Sequence, residues 1–240
     1  MWPFLPALLA VAIAPGLVAL WWRRRARHDA PTTALRSLAF VAIDTETTGL
    51  DPRRDALVAL AGIPFQDGQP RPADGYARLV NPGRPIPDAA RAIHGIADAD
   101  VKDAALPAEA LPPFLALCAG HAIVAHTAPF DLAVINRAAR AAGLDPLVGP
   151  VLDIGALAHA VLPSWWDLSL EGLARLVEME PIARHTAEGD ALTAGMIFVK
   201  LIPLLERRGA GTLRAAIALQ HRAPIISAGP GATGGGLAGP

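Results

Sequence analysis

The stretch FVAIDTETTGL, residues 40–50, decides the fold. It overlaps the apolar run LAFVAI at residues 38–43, which has the composition of a buried β-strand. Asp44 and Glu46 follow two positions apart, so in a strand both carboxylates point to one face and Thr45 points to the other. Such an acidic pair is costly to bury unless a cation binds it. The alternative is a solvated strand end whose acids lead into a turn.

Two more strand-like runs follow this stretch, at residues 56–63 and 75–80. The turn signal Asp67-Gly68 separates them, and Asn81-Pro82-Gly83 closes the segment. The spacing predicts a meander of three antiparallel strands before the first helices.

The rest of the chain alternates between helical and strand-like segments. Helices are predicted at residues 87–93, 107–119, 130–142, 154–161, 168–178 and 187–207, and strands at 122–125 and 151–154. This alternation indicates an α/β domain with a mixed sheet flanked by helices. Residues 228–240, AGPGATGGGLAGP, offer nothing to bury, which predicts disorder from about residue 228.

The N-terminal segment is predicted to be a membrane anchor. Residues 2–22 carry no charge, and the basic run RRRAR follows at residues 23–27. At about 1.5 Å per residue a helix of this length spans roughly 30 Å, the hydrocarbon thickness of a bilayer. Trp21 and Trp22 stand where interfacial aromatic anchors stand. The segment predicts a single-pass transmembrane helix in the inner (cytoplasmic) membrane, with the following domain in the cytoplasm.

A cleaved signal peptide is the alternative for this segment. Ala12-Ile13-Ala14 resembles a cleavage site, but no positive charge precedes the apolar run.

Charge and cysteine content limit the function classes. The net charge is −1, and residues 1–30 carry four arginines and one aspartate, which leaves −4 on residues 31–240. This excludes a broad basic surface for duplex nucleic acid, so a nucleic-acid substrate must be held locally. Cys118 is the single cysteine, which excludes an intramolecular disulfide and a zinc motif with paired cysteines.

Three further residues extend the acidic pair. Asp131 follows the strand at 122–125 and stands at a helix start, where an acid is also favoured simply by the helix dipole. His185 and Asp190 lie five residues apart at the start of the last long helix, where the histidine could equally be a surface residue and Thr186 an N-cap.

Taken together, these residues predict hydrolysis of a phosphodiester. Four carboxylates without cysteine suit Mg²⁺ or Mn²⁺. Two such ions about 3.5–4 Å apart stabilise the attacking and leaving oxygens, while a nearby imidazole takes a proton from the attacking water.

The chain resembles the DnaQ-like 3′–5′ exonucleases of the DEDDh type, the family of the proofreading subunit of bacterial DNA polymerase III. FVAIDTETTGL resembles the first motif of that family, VAHTAPFDLAVI the second, and HTAEGDA the third, with its His-x4-Asp spacing. Ile93-His94-Gly95-Ile96 and Leu152-Asp153 match intervening segments. The resemblance spans about residues 38–205 and implies a ribonuclease H-like α/β domain.

The resemblance also implies roles for individual residues. Two Mg²⁺ or Mn²⁺ ions would be bound by Asp44, Glu46, Asp131 and Asp190, and His185 would be the general base. The substrate-binding residues implied are Thr47, Thr48, Gly49 and Leu50 around the 3′-terminal nucleotide, and His94 along the groove. For Gly49 a simple turn, and for His94 a helix-end histidine, are the alternatives. The second motif departs from the family at Thr127, where asparagine is usual, but no metal-ligand position is substituted.

The sequence therefore predicts a membrane-tethered 3′–5′ exonuclease that releases nucleoside monophosphates. Its predicted parts are an anchor at residues 1–22, a basic linker at 23–36, an exonuclease domain at 37–207 and a C-terminal extension at 208–240. Single-stranded DNA is the favoured substrate and a DNA polymerase or repair complex the expected partner. The alternatives are a ribonuclease acting on RNA 3′ ends or short oligoribonucleotides, and a non-catalytic docking module.

Overall fold

The computed structural model of the protein describes residues 32–222. The predicted anchor at residues 1–22 and the predicted disordered segment from about residue 228 lie outside the described residues. Within residues 32–222, no helix is both long enough and apolar enough to cross a lipid bilayer.

A mixed six-stranded sheet forms the centre of the described domain. The strands are β1 Phe40–Thr47, β2 Leu57–Gln66, β3 Gln69–Pro70, β4 Tyr76–Leu79, β5 Ala122–Ala125 and β6 Val151–Asp153. Strand β2 pairs antiparallel with β1, and β4 pairs antiparallel with β2, which forms the predicted meander. Strand β5 pairs parallel with β1, and β6 pairs parallel with β5. The order is β3-β2-β1-β5-β6, with β4 also paired to β2. The α/β class with a mixed sheet is thus confirmed.

Strand β1 continues beyond its apolar half to Thr47. Asp44 and Glu46 therefore lie within the strand, and the residues opposite them on the adjacent strand β2 are Ala61 and Ala59. Cross-strand partners point to the same face. Because both partners are alanines, their small side chains leave the space above the two acids open.

Eight helices surround the sheet in the described part of the chain. They are α1 Asp88–His94, α2 Asp98–Val101, α3 Pro107–Cys118, α4 Ala128–Ala141, α5 Ile154–Val161, α6 Leu170–Leu176, α7 Ala187–Arg207 and α8 Leu213–Arg222. Helices α2 and α8 have no counterpart among the predicted segments, whereas the other six correspond to the six predicted helices.

Alternate residues of β1 pack into two hydrophobic clusters on opposite faces of the sheet. Phe40 belongs to the cluster with α7. Its ring stacks on that of Phe65, with the ring centroids 4.7 Å apart, and makes an edge-to-face contact with Phe198 of α7, with the centroids 5.1 Å apart. Val41 belongs to the cluster on the other face, with α3 and α4. The alternation places Asp44 and Glu46 on the face of α7, and Thr45 on the face of α4.

Close packing of α7 on the sheet depends on a glycine in the helix. A Cβ on Gly195 would lie 2.3 Å from the ring of Phe65 and 3.0 Å from Ala42. The missing side chain lets the helix axis approach β1, which brings the N-terminal turn of α7 to the carboxyl end of the strand.

The two ends of the described chain meet at the opposite end of the sheet. The N–H of Leu35 donates to the carbonyl of Gly211 at 2.9 Å. Gln220 of α8 then accepts from the N–H of Asp153 at 3.1 Å and donates to the carbonyl of Val151 at 2.8 Å. Helix α8 therefore satisfies backbone groups on the open edge of β6.

Candidate metal centre

Three predicted ligands converge at the carboxyl end of β1. Asp44 and Glu46 come from the strand and Asp190 from the first turn of α7, and one oxygen of each lies within 4.8 Å of the others. Thr186 caps α7 by accepting from the N–H of Gly189 at 3.1 Å, which fixes where the helix begins and so where Asp190 stands. Asp190 is buried, whereas Asp44 and Glu46 keep part of their surface exposed.

Burial and mutual repulsion both disfavour ionisation of Asp44 and Glu46 in this cluster. Burial raises the pKa of Asp44 well above its usual range, and the charges of Asp131, Glu46 and Asp190 raise it further. Burial and the charge of Asp190 raise the pKa of Glu46 to about 7. Oδ1 of Asp190 is buried without a hydrogen-bond partner among residues 32–222. A set of hard oxygen ligands with one uncommitted oxygen fits a divalent cation such as Mg²⁺ or Mn²⁺.

Asp131 lies beside the three-carboxylate cluster and is not one of its members. Its side chain is buried in the first turn of α4, and its Oδ1 accepts a hydrogen bond from Oγ1 of Thr45 at 2.7 Å. Burial raises the pKa of Asp131 to about 7. Asp131 thus approaches β1 on the face of Thr45, yet its charge still reaches Asp44.

His185 stands at the rim of the site. It is exposed, its φ is +62°, and its backbone N–H donates to Oδ2 of Asp190 at 3.3 Å. Its imidazole forms no hydrogen bond with any residue in the 32–222 range. The backbone of His185 is therefore fixed to Asp190, while its imidazole is free to contact a substrate or a water molecule.

Two residues of the site are not predicted from the sequence. The guanidinium of Arg184 donates to Oδ2 of Asp190 and, through Nε, to Oε1 of Glu171 at 2.7 Å. Glu171 lies in the first turn of α6, so this bridge ties α6 to the start of α7. The position of Arg184 directly before His185 is a signal that could have identified it. Glu171 lies 13 residues upstream of Arg184 and has no local pattern.

The residues implied to bind the terminal nucleotide form a tight turn after β1. Oγ1 of Thr48 donates to Oδ1 of Asp55 at 2.9 Å, and Oγ1 of Thr47 donates to the carbonyl of Gly49 at 2.6 Å. A Cβ on Gly49 would lie 2.6 Å from Oδ2 of Asp55, so the turn requires glycine for close approach. The side chain of Leu50, four residues after Glu46, is 68% exposed and offers an apolar surface to solvent.

His94 lies under this turn. It is buried at the end of α1, and its Nδ1 accepts from the N–H of Ile96 at 3.1 Å, which leaves the proton on Nε2 in the neutral ring. Nε2 faces the backbone of Thr47 without completing a hydrogen bond. Burial lowers the pKa of His94, which keeps the ring neutral.

Thr127, where the family usually has asparagine, has a backbone φ of +60° at the N-cap of α4. Asparagine tolerates this left-handed conformation better than a β-branched residue does. The departure thus carries backbone strain, and Thr127 lies outside the carboxylate cluster.

Comparison with known proteins agrees with this geometry. Residues 41–198 match the protein family described as Exonuclease. A DNA polymerase III subunit epsilon-like protein of Rhodobacter capsulatus is 39% identical over 188 residues, which are 77% of this chain and 27% of that protein. The 3′–5′ exonuclease DinG of Bacillus subtilis is 29% identical over 177 residues, 73% of this chain and 19% of that protein. The chain thus spans about a quarter or less of the length of these relatives.

A solved structure shows the same fold. Exonuclease X in complex with 5′-overhanging duplex DNA superposes with a TM-score of 0.58 at 25% identity, over 76% of this chain and 99% of that one. The mixed sheet with its flanking helices is therefore the ribonuclease H-like exonuclease fold. As its three DnaQ-like motifs predict, the chain belongs to the exonuclease family.

Proposed function

We propose that this protein is a metal-dependent 3′–5′ exonuclease that hydrolyses phosphodiester bonds at nucleic-acid 3′ ends and releases nucleoside monophosphates. The observation that carries the proposal is the convergence of Asp44, Glu46 and Asp190 within 4.8 Å, with His185 at the rim. The name of DinG supports the direction of degradation, and the DNA complex of Exonuclease X supports the substrate class.

The residues divide the work between binding and proton transfer. Asp44, Glu46, Asp131 and Asp190 would hold two Mg²⁺ or Mn²⁺ ions, which supply charge stabilisation for the attacking and leaving oxygens. The turn formed by residues 47–50 seats the terminal nucleotide beside the acids. Arg184 holds the carboxylate of Asp190 in place through Oδ2, which leaves Oδ1 without a partner among the described residues and available to a cation.

His185 is the base in this proposal. Its imidazole accepts a proton from the attacking water, whose oxygen bonds to phosphorus as the bond between phosphorus and the 3′ oxygen breaks. The leaving 3′ oxygen takes a proton from solvent. The products are a nucleoside 5′-monophosphate and a chain shortened by one nucleotide.

The full-length protein is expected to release label from 3′-labelled single-stranded DNA when Mg²⁺ or Mn²⁺ is supplied, and to shorten 5′-labelled DNA stepwise without releasing its label. Single-stranded DNA should be degraded faster than duplex DNA or RNA. A preference for RNA would indicate the ribonuclease alternative. Absence of release from all three substrates under both ions, together with co-purification of a DNA polymerase, would indicate a docking module. The name of the Rhodobacter relative supports a polymerase partner in either case.

We also propose that residues 2–22 tether the enzyme to the inner membrane, on the basis of their uncharged composition and the basic run after them. In the described domain, Thr33 hydrogen bonds to Leu213 at the end of the sheet opposite the acids, so a tether entering there would leave the site unobstructed.

On fractionation of cells, the full-length chain is expected in the membrane pellet after an alkaline wash. A chain that lacks residues 2–22 should be found in the supernatant with an unchanged kcat, because no residue of the site is removed. Full-length protein in the soluble fraction would contradict the tether.

A further inference from the structure

A rigid loop follows the turn at the end of β1. In this loop, residues 51–55, the N–H of Asp51 donates to Oδ2 of Asp55 at 2.8 Å. From α4, the helix of Asp131, Arg137 donates through Nε to the carbonyl of Pro52 at 3.0 Å and through Nη2 to the carbonyl of Asp55. The loop is thus fixed to the same framework that holds the carboxylates.

The acidic and basic side chains of this loop differ in how many partners they have. Oδ1 of Asp55 accepts from Oγ1 of Thr48 in the preceding turn, and Oδ2 accepts from the N–H of Asp51. Oδ1 of Asp51 accepts from the N–H of Arg53 at 2.9 Å. The side chain of Arg54 is 86% exposed, with only a 3.7 Å contact to Asp51. Arg53 is exposed, and its guanidinium has no partner among the residues the structure describes. The carboxylate of Asp55 is therefore committed within the turn and loop, whereas Asp51 is exposed and approaches the guanidinium of Arg54, so the guanidinium groups face solvent with one weak acidic contact between them.

A third arginine joins them from another segment. Nη1 of Arg84 donates to the carbonyl of Arg54 at 2.8 Å, and the rest of its exposed side chain remains open. Arg84 precedes α1, the helix whose His94 lies under the turn of residues 47–50. Arg53, Arg54 and Arg84, here named the arginine rim, thus gather where two segments that flank the nucleotide turn meet.

The rim lies within reach of a strand that leaves the site. Arg53 lies seven positions after Glu46, a stretch that spans at most about 25 Å when extended. The actual separation is shorter because the chain folds back, with the N–H of Thr48 bonded to the carbonyl of Ala56 at 3.0 Å.

We infer that the arginine rim binds backbone phosphates of the nucleic acid upstream of the scissile bond. Guanidinium groups match phosphate oxygens in geometry and charge, and this contact is independent of base sequence. Residues 31–240 carry a net charge of −4, so an anionic substrate needs a local attraction of this kind. The inference rests on the proposed function and extends it from the terminal nucleotide to the strand behind it.

The double variant Arg53→Gln/Arg54→Gln tests the rim in the full-length protein. Neither side chain holds the loop, so the fold should be unaffected. On a twelve-nucleotide single-stranded DNA the KM is expected to rise about tenfold with an unchanged kcat. The slope of log kcat/KM against log salt should become shallower by about 0.7 for each lost phosphate contact. On a dinucleoside monophosphate, whose only phosphate is the scissile one, the variant should match the wild type. Arg84→Gln should act in the same direction.

The double variant Arg207→Gln/Arg214→Gln is the matched control, because it removes the same charge from exposed positions at the opposite end of the domain. If both double variants change the KM equally, the effect is one of net charge and the rim is rejected. Equal impairment on the dinucleoside monophosphate also rejects it, because the arginines would then act at the scissile bond. If the wild type cleaves neither substrate, the proposed function itself fails and the rim fails with it.

Discussion

Asp44→Asn is expected to lower kcat by about 10³-fold or more and, at the same time, to raise the unfolding temperature of the metal-free protein. Asparagine has the shape of aspartate, so the strand is retained while one of three converging carboxylates is lost. A loss of 10³ in rate corresponds to about 4 kcal/mol of transition-state stabilisation, which is within the range that bound metal ions supply. The measurements are kcat on single-stranded DNA with saturating Mn²⁺ and thermal unfolding in a chelator.

The gain in stability follows from the raised pKa values. Burial and neighbouring acids raise the pKa of Asp44 well above its usual range, and the pKa of Glu46 is raised to about 7. The folded state therefore binds more protons than the unfolded state between about pH 4 and pH 7. The contribution of these two protonated acids to the stability of the metal-free wild type is fully present below pH 4 and is lost as the pH rises through 7. Asp44→Asn should weaken this dependence, because it removes one of the repelling charges.

Two comparisons make the prediction sharp. Asp145→Asn changes an exposed acid away from the cluster and should alter neither quantity. Mn²⁺ should raise the unfolding temperature of the wild type more at pH 8 than at pH 6, because it binds only the folded, deprotonated cluster. If Asp44→Asn kept more than a tenth of the wild-type kcat, the carboxylate would not be a metal ligand.

Local patterns predicted most of the fold because they have a local physical cause. The alternation of β1 determines which side chains face which cluster, and Thr186 marks the start of α7. Helix α2 has a single turn, Asp98–Val101, which is too short for helical periodicity to appear. Helix α8 is held by the contacts of Gln220 with Val151 and Asp153, almost 70 residues upstream. It is therefore stabilised by tertiary contacts, which a local sequence pattern does not reveal.

The features of the site also divide into those that local spacing predicts and those that depend on tertiary packing. The spacing of Asp44 and Glu46 suffices to place both on one face, and the structure places them with Asp190. The hydrogen bond of Asp131 to Thr45, on the opposite face, depends on how α4 packs and has no signature in the sequence. The bridge from Arg184 to Glu171 depends on a connection between α6 and α7 in which Glu178, Ala183 and His185 adopt positive φ. Such conformations of non-glycine residues are uncommon and cannot be read from composition.

His185→Asn is expected to lower kcat by about 10²- to 10⁴-fold, the usual contribution of a general base. Histidine exchanges a proton near neutral pH, whereas asparagine cannot. Asparagine also tolerates positive φ, so the backbone at +62° and the N–H bond to Asp190 should be retained. The measurement is kcat on single-stranded DNA at saturating Mn²⁺, together with the Mn²⁺ concentration that gives half the maximal rate.

The second of these measurements separates a base from a structural residue. If the side chain of His185 also positioned Asp190, replacing it would displace that ligand and shift the half-saturating Mn²⁺ concentration. If its imidazole takes the proton, that concentration stays constant while kcat falls, and free imidazole added to the assay restores part of the rate. His221→Asn, an exposed histidine of α8, should change neither quantity. A kcat of His185→Asn within tenfold of the wild type would show that another group, or solvent alone, removes the proton.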